Sequence, residues 1–145
     1  MRLVSLDRLR APGAAPGRAC GSCTACCVVL PIVELRKPAR RACDHLRDDA
    51  CGIHPDRPES CRAFHCAWLR GALGDDLALR PDALGVMIDH FVLRDTGEAH
   101  TLAFELWEGA LASPEARAVL DALARTHAVA RSHRDGRWSE HPAPT

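Results

Sequence analysis

Residues 20–27 of the chain read Cys20-Gly21-Ser22-Cys23-Thr24-Ala25-Cys26-Cys27. The other four of its eight cysteines follow closely, at Cys43, Cys51, Cys61 and Cys66. Thiolates clustered in this way are typical of a site for a soft metal ion or an iron–sulfur cluster. We therefore predict that residues 20–70, called the cysteine segment from here on, fold around metal, and that all eight cysteines are candidate ligands.

The spacing of the first four cysteines leaves their grouping open. A Cys-x-x-Cys turn can aim two thiolates at one ion, and it occurs twice, as Cys20/Cys23 and Cys23/Cys26. In a loop, Cys20, Cys23 and Cys26 would converge and leave Cys27 over. In a helix, Cys27 would replace Cys26 on the shared face, because adjacent side chains diverge by about 100°. The adjacent pair thus indicates two sites, one polynuclear site or one spare thiol.

The second group of cysteines is interleaved with histidines. Close to Cys43, Cys51, Cys61 and Cys66 stand His45, His54 and His65. Four thiols in each group match the count for two tetrahedral thiolate sites. A single histidine is more often a satisfied surface or core residue than a ligand, so the cysteines rank above the three histidines as predicted ligands.

The expected metal is zinc, as one or two ions, ahead of iron or a [4Fe–4S] cluster. The cysteine segment is mostly polar and rich in arginine, whereas a cluster normally has an apolar shell. The run Val28–Val33 argues the other way, because it could supply part of such a shell.

Charge and composition argue against nucleic acid and membranes as partners. The formal net charge is zero, so no global electrostatic attraction draws the chain to nucleic acid or to an anionic membrane. The basic stretch of residues 35–41 has no interleaved aromatic side chains, and we expect its charges to be solvated. No signal sequence and no transmembrane segment are predicted, so we expect the cytoplasm, where thiols stay reduced. A disulfide scaffold is the less favoured alternative.

The predicted fold is a small α+β protein in three parts. Residues 1–19 are expected to be a flexible lead-in, because small and turn-forming residues follow a short leucine stripe. Residues 20–70 form the loop-rich, metal-stabilised cysteine cluster. Residues 71–145 are expected to form an α+β region that packs against it.

This C-terminal region carries clear local signals. Residues 83–93 and 101–107 are rich in β-forming residues and flank the turn-forming stretch 94–98, which predicts a hairpin. Ser113-Pro114-Glu115 is a typical helix start, and the apolar spacing after it predicts a helix over residues 114–125. A further strand is predicted over residues 128–133, before a tight turn at Asp135-Gly136.

No catalytic constellation stands out in the chain. It has no Ser/His/Asp order, no glycine-rich phosphate loop and no paired acid motif. Asp89, Glu105 and Glu108 lie in the predicted hairpin region, where we expect them to be solvated. We therefore assign no enzyme activity from the sequence.

The motif residues resemble a known family. Cys20-x2-Cys23-x2-Cys26-Cys27 is similar to the signature of the CxxCxxCC family, the YkgJ-type proteins, which are described as zinc- or iron-chelating domains. The second block is similar as well, through Cys51-Gly52-Ile53-His54 and Arg57-Pro58-Glu59-Ser60-Cys61-Arg62-Ala63-Phe64-His65-Cys66. His54 departs from the pattern, since tyrosine is more usual there. The resemblance covers about residues 18–92.

The resemblance implies metal chelation and carries no settled reaction. The leading hypothesis is a metal-binding protein that chelates zinc or iron through the cysteine cluster. An iron–sulfur redox or electron-transfer enzyme is the first alternative, and a zinc-stapled interaction module is the second. No membrane partner is expected, nucleic acid is not favoured, and the sequence indicates no particular protein partner.

Overall fold

The computed structural model describes residues 8–9 and 14–144, and it has the predicted α+β architecture. Among these residues the strands are β1 (Arg8–Leu9), β2 (Leu46–Arg47), β3 (Ala50–Cys51), β4 (Val86–Leu93), β5 (Ala99–Glu105), β6 (Ala128–Ser132) and β7 (Trp138–His141). The α-helices are α1 (Ala25–Val29), α2 (Glu59–Ala63), α3 (Pro81–Leu84) and α4 (Pro114–Leu123). Short 3-10 helices span Val33–Leu35, His54–Asp56, Leu77–Leu79 and Ala110–Ala112.

One mixed sheet organises the C-terminal region, in the order β1-β4-β5-β6-β7. The strands β4 to β7 make up most of it, and the two-residue β1 pairs with the end of β4. The β4–β5 pair is the predicted antiparallel hairpin, which confirms that prediction. β5 and β6 run parallel, and α4 connects them, so this part of the chain is a βαβ unit. β7 was not predicted; it pairs with β6 after the turn at residues 135–136.

The helix α4 forms as its sequence predicts. The Ser113 hydroxyl accepts a hydrogen bond from the main-chain nitrogen of Ala116 at 3.1 Å, and Pro114 occupies the first turn. The helix ends at Leu123, slightly before the predicted end. Leu120 and Ala116 are buried on its inner face, so α4 is held on the sheet by apolar packing.

The two faces of the sheet carry separate apolar clusters, because successive side chains of a strand point to opposite faces. Ile88 of β4 is buried in the cluster that contains Leu120 of α4. Its neighbour Met87 is buried in the other cluster, together with Val29 of α1. The sheet thus carries α4 on one side and the helix of the cysteine motif on the other.

The prediction that the hairpin acids are solvated is wrong for two of the three. Asp89 and Glu105 are 2% and 7% exposed, whereas Glu108 is exposed as expected. The Glu105 carboxylate accepts hydrogen bonds from the main-chain nitrogens of Arg134 at 3.0 Å and Leu111 at 3.2 Å. Asp89 lies 3.4 Å from the guanidinium of Arg70. Both carboxylates are buried because the fold supplies hydrogen-bond donors to them.

Among the described residues, no helix is long and apolar enough to span a bilayer. The predicted lead-in of residues 1–19 falls partly on residues 1–7 and 10–13, which lie outside the described part. Within that part, Ala15 donates its main-chain N–H to the carbonyl of Leu69 at 2.9 Å. The guanidinium of Arg18 stacks 4.7 Å from the ring centroid of Trp68.

Candidate metal centre

The first cysteine group combines a turn with a helix. The main-chain nitrogen of Cys23 donates to the carbonyl of Cys20 at 3.0 Å, so these two thiols share a tight turn. Gly21 has a φ of 58° in this turn, a conformation that favours glycine. The helix α1 begins just after it and carries Cys26 and Cys27. Cys20 and Cys23 therefore lie in a turn, as in the loop alternative, whereas Cys26 and Cys27 lie on a helix.

The second cysteine group is tied to the first by one main-chain hydrogen bond and by a pair of hydrogen bonds to the side chain of Glu34. Cys43 donates its N–H to the carbonyl of Cys27 at 2.9 Å. Cys51 lies on the β2–β3 hairpin and Cys61 on α2. Glu34 accepts hydrogen bonds from both the main-chain nitrogen and the hydroxyl of Ser60, at 2.9 and 2.7 Å. These contacts hold α2 beside the chain that follows α1.

Both groups face one cavity of about 440 Å³, which we call the cysteine cavity. Its thiol lining consists of Cys20, Cys23, Cys26, Cys27, Cys51 and Cys61. His54 and His65 line it as well. Cys43, Cys66 and His45 do not, and Cys43 and His45 instead line a smaller neighbouring cavity of about 120 Å³. Six of the eight predicted ligands thus surround a common space.

The thiols surround this space without closing on one point. All eight cysteines are free, with no disulfide between any two of them. Within the described part of the chain, no three Cys, His, Asp or Glu side chains converge closely enough to hold a metal ion. The donor chemistry fits a soft metal, because thiols and imidazoles dominate the polar lining. The six thiols of the cavity lie around it too far apart to coordinate one ion in this arrangement.

Apolar side chains form much of the remaining wall. The cysteine cavity is also lined by Leu30, Pro31, Ile32, Phe64 and Leu69. The first three belong to the run of residues 28–33 that was expected to supply part of an apolar shell. The surroundings are therefore less polar than the arginine-rich sequence suggests.

Crowding and burial shift the pKa values of most of these thiols upward. Burial is the largest cause for Cys20 and Cys61, and neighbouring thiols add to it. Burial also raises the pKa of Cys66, which lies outside the cavity lining, to about 11. Without a cation among them, these thiols resist ionisation, because each thiolate is poorly solvated and repels the next.

The adjacent pair on α1 behaves differently. A hydrogen bond from the Cys26 thiol lowers the pKa of Cys27 to about 7, and the nearby ammonium of Lys37 acts in the same direction. The same hydrogen bond, followed by burial, raises the pKa of Cys26. Cys27 is therefore the thiol of this pair that ionises first.

Lys37 was expected to be solvated, and that prediction is wrong. It is 8% exposed, and its Nζ donates to the main-chain carbonyls of Val28 at 3.1 Å, Leu30, and Pro38 at 3.2 Å. These contacts cover the end of α1, where carbonyl groups lack helical partners. Burial lowers the pKa of Lys37, whereas the nearby thiols, Cys43 first, raise it. The sequence signal that could have found this role is a lone lysine just after a short apolar helix.

Arginines also surround the thiols. Arg57 lines the cysteine cavity, and its guanidinium lies 2.9 Å from the Nε2 of His54. Burial raises the pKa of Cys23, and the charge of Arg80, which is held by Asp82 at 2.6 Å, opposes that rise. The family resemblance extends over Arg80, but the sequence assigned it no role near the thiols, because it lies far along the chain from the first cysteine group and meets it only through the fold.

Comparison of the chain with models of protein families, with curated proteins and with solved structures found no match. The resemblance to the CxxCxxCC family therefore rests on the motif residues alone and stays a prediction.

Proposed function

We propose that the protein binds metal, zinc or iron, through the thiolates of the cysteine segment. The observation that supports this most is the cysteine cavity, because thiols from both groups line one space although they are far apart in sequence. A cation there would relieve the mutual repulsion that raises the pKa of its thiols, and ionised thiols are the form that binds metal. We therefore expect the thiols to move toward the metal when it binds.

An iron–sulfur centre with a redox role is the second candidate, and two features of the cavity favour it. The volume of about 440 Å³ is large for a single ion, since one water molecule occupies about 30 Å³. The apolar wall that includes Leu30 and Phe64 resembles the surroundings in which clusters are held. Zinc is favoured instead by the four-plus-four count of thiols and by the neighbouring arginines.

Metal analysis of protein purified without oxygen distinguishes the two candidates. We expect one or two zinc ions and a colourless protein, because zinc has a filled d shell. Brown protein with iron and acid-labile sulfide in matching amounts would establish the cluster and promote the redox function. The test includes iron-supplemented, oxygen-free growth, because zinc acquired during expression can mask a cluster. Protein that carries neither metal would contradict both candidates.

Substitution variants test which thiols hold the metal. Cys20→Ser and Cys61→Ser should each lower the metal content, because the two residues bring the two groups to the cavity. Ser22→Ala is the matched control, since it changes the same exposed loop without removing a thiol. Cys43→Ser and Cys66→Ser then separate a six-thiol centre from one that draws in all eight. Unchanged metal content in both cavity variants would contradict the proposal.

We also propose a cytoplasmic location, because eight free thiols are kept reduced in that compartment. Thiol counting in whole cells with a membrane-permeant and an impermeant alkylating reagent would test this.

A further inference from the structure

The turn of residues 20–23 lies against the chain that leads into β4. Gly21 is at the centre of this contact, because a Cβ atom added to it would lie 2.9 Å from Nη1 of Arg80. The Arg80 guanidinium therefore occupies the space that a side chain at residue 21 would fill. The Ser22 hydroxyl lies 3.4 Å from Nη2, at the limit of a hydrogen bond, so the close approach to Gly21 is the main contact.

Arg80 is held in this position by a residue two places further along the chain. Its Nε and Nη2 donate to the two carboxylate oxygens of Asp82, at 2.6 and 2.7 Å. A two-point contact of this kind fixes the plane and the direction of the guanidinium, which a single contact would leave free to turn. Because Asp82 also neutralises the charge of Arg80, the pair presents a fixed shape to the turn rather than a net charge.

The main chain of the same segment reaches the second thiol of the turn. Burial raises the pKa of the Cys23 thiol, and hydrogen bonds from the main-chain N–H groups of Ala25 and Asp82 oppose that rise. Donors to a sulfur atom favour the thiolate, which is the form that binds metal. Arg80 and Asp82 thus contact the turn at two places, one beside Gly21 and one at the sulfur of Cys23.

The apolar core holds the segment that carries this pair. Pro81 and Leu84 of α3 are buried, and Leu84 belongs to the same cluster as Leu120. The main-chain nitrogen of Leu84 donates to the carbonyl of Arg80 at 2.9 Å, which connects the arginine to the first turn of the helix. The contact with the metal motif therefore comes from an element whose own packing involves no thiol.

The turn itself has few contacts that could orient its thiols. Residues 20–22 are exposed, and the hydrogen bond from Cys23 to the carbonyl of Cys20 fixes the backbone locally. That bond does not set the direction in which the turn faces the second cysteine group. Metal ligands need contacts behind them that fix this direction, and here Arg80 and Asp82 lie in the place where such contacts act.

We propose that Arg80 and Asp82 are positioning residues of the metal site, which hold the turn of residues 20–23 so that its thiols face the other ligands. The inference rests on the proposed function, because it concerns the geometry of that same site. Neither side chain binds the metal. Both act through the turn, by filling the space over Gly21 and by a hydrogen bond to the thiol that follows it.

Cobalt(II) is the probe for this role, because it takes the place of zinc in tetrahedral thiolate sites and its thiolate charge-transfer absorption reports sulfur ligation. Titration of the reduced, metal-free full chain gives the affinity and the absorption per bound ion separately. We expect Arg80→Ala to weaken cobalt binding about 10- to 100-fold, the usual loss when a contact that orients a metal ligand is removed. The absorption per bound ion should also fall, because a turn that can tilt supplies fewer thiolates.

Two further variants separate positioning from charge. Arg80→Lys keeps the positive charge but cannot form the two-point contact, so its affinity should stay close to that of Arg80→Ala. Asp82→Asn keeps the main-chain donor and weakens the hold on Arg80, so it should lie between Arg80→Ala and the wild type. Arg137→Ala is the matched control, because Arg137 also pairs with an aspartate two residues away but lies on the turn between β6 and β7. It should bind cobalt as the wild type does.

A double-mutant cycle with Gly21 tests the contact itself. Gly21→Ala adds the Cβ atom that would lie 2.9 Å from Nη1 of Arg80, so it should displace the guanidinium and weaken cobalt binding. It also carries a backbone penalty at a φ of 58°, which is the same with or without Arg80. The loss caused by Gly21→Ala should therefore be at least about threefold smaller in the Arg80→Ala background than in the wild type.

The outcomes distinguish this inference from the proposed function. Far-ultraviolet circular dichroism confirms that each variant is folded, and Asp82→Asn carries the test if Arg80→Ala does not fold. Equal cobalt affinity in the wild type, Arg80→Ala and Asp82→Asn would overturn the inference alone, as would full recovery in Arg80→Lys. A wild-type chain that binds neither cobalt nor zinc would overturn the inference together with the zinc site on which it rests.

Discussion

The sheet segment, residues 86–141, carries its chain on strands of four to eight residues and one helix of ten. The cysteine segment, residues 20–70, has two helices of five residues and two strands of two. The first is stabilised by β-ladders and by fully buried side chains such as Leu120 and Ile88. The second is held by the packing of Val29 against the sheet and by local contacts, such as Lys37 on main-chain carbonyls and Glu34 on Ser60.

The two segments are stabilised in two different ways. Long elements bury enough apolar surface to offset the loss of conformational entropy, whereas short elements bury little and need another source of free energy. Thiolate–metal bonds are one such source in small modules. The two segments should therefore respond differently to metal removal, to core truncation, to backbone strain and to acid.

Metal removal should have the largest effect and should act on the cysteine segment alone. Structural zinc contributes on the order of 10 kcal/mol in small modules, so a strong chelator should unfold residues 20–70 first. Hydrogen exchange read by mass spectrometry should show lost protection there and retained protection in β4 and β5. Full protection of both segments after verified metal removal would show that metal is incidental to the fold.

Truncation of a core side chain should destabilise the sheet segment and leave the metal site intact. Leu120→Ala should lower the free energy of unfolding by about 2–5 kcal/mol, because Leu120 is fully buried between α4 and the sheet. Metal content should stay unchanged. Leu77→Ala is the control, since Leu77 is 66% exposed, and it should cost less than about 0.5 kcal/mol. Chemical denaturation gives both values, and equal losses in the two variants would contradict the assigned packing.

The sequence predicted the sheet segment well because its signals are local. Ser113 and Pro114 define the start of α4 within one turn of chain, and the stretch 94–98 defines the hairpin. The buried states of Asp89 and Glu105 were missed, because their donors come from Arg70, Leu111 and Arg134, which only the fold brings near.

For the cysteine segment, the sequence indicated the residue types of the site and left their arrangement open. Arg40 meets Glu105 and Ser132 from positions 65 and 92 residues away, and no local pattern encodes such contacts. The mixed turn-and-helix form of residues 20–27 also depends on packing, because α1 is fixed to the sheet through Val29. Short elements carry weak local signals, so tertiary contacts decide them.

A substitution at the junction that precedes β4 should strain the backbone of the sheet segment. Gly85 has a φ of 82°, and an added Cβ would lie 2.6 Å from Cζ2 of Trp107 and 2.7 Å from Cβ of Ala110. Gly85→Ala should therefore cost about 2–4 kcal/mol through backbone strain plus overpacking. Gly97→Ala, at a φ of 74° with open space around it, isolates the backbone part and should cost about 1–2 kcal/mol. Thermal unfolding separates them, and equal costs would mean that no clash occurs at Gly85.

Acid should destabilise the sheet segment by a smaller amount through His90. Burial lowers the pKa of this imidazole to about 4, with the charges of Arg70 and His127 adding and that of Asp89 opposing. The unfolded chain therefore binds a proton below about pH 6.5 that the folded chain takes up only near pH 4. Stability should fall as pH drops through that window, by on the order of 1–2 kcal/mol after allowing for solvent screening of a half-buried group.

His90→Gln removes this proton, so the variant should lose less stability than the wild type between pH 7 and pH 4. Protons also compete with metal for the thiols, but this effect is the same in the variant and the wild type. It therefore drops out when the two stabilities are subtracted at each pH. Denaturant unfolding across that range measures the two stabilities. An identical pH slope in the two proteins would contradict the role assigned to His90.

The burial of Lys37, the one lysine in the chain, has a practical consequence. Amine acylation by an N-hydroxysuccinimide ester has no exposed lysine side chain to attack while the cysteine segment is folded. Stable amide acylation of the peptide that contains Lys37 therefore reports the opening of that segment, without an engineered label. At reagent concentrations where acylation outpaces reclosing, the time course of this mass increase would give the opening rate of the cysteine segment.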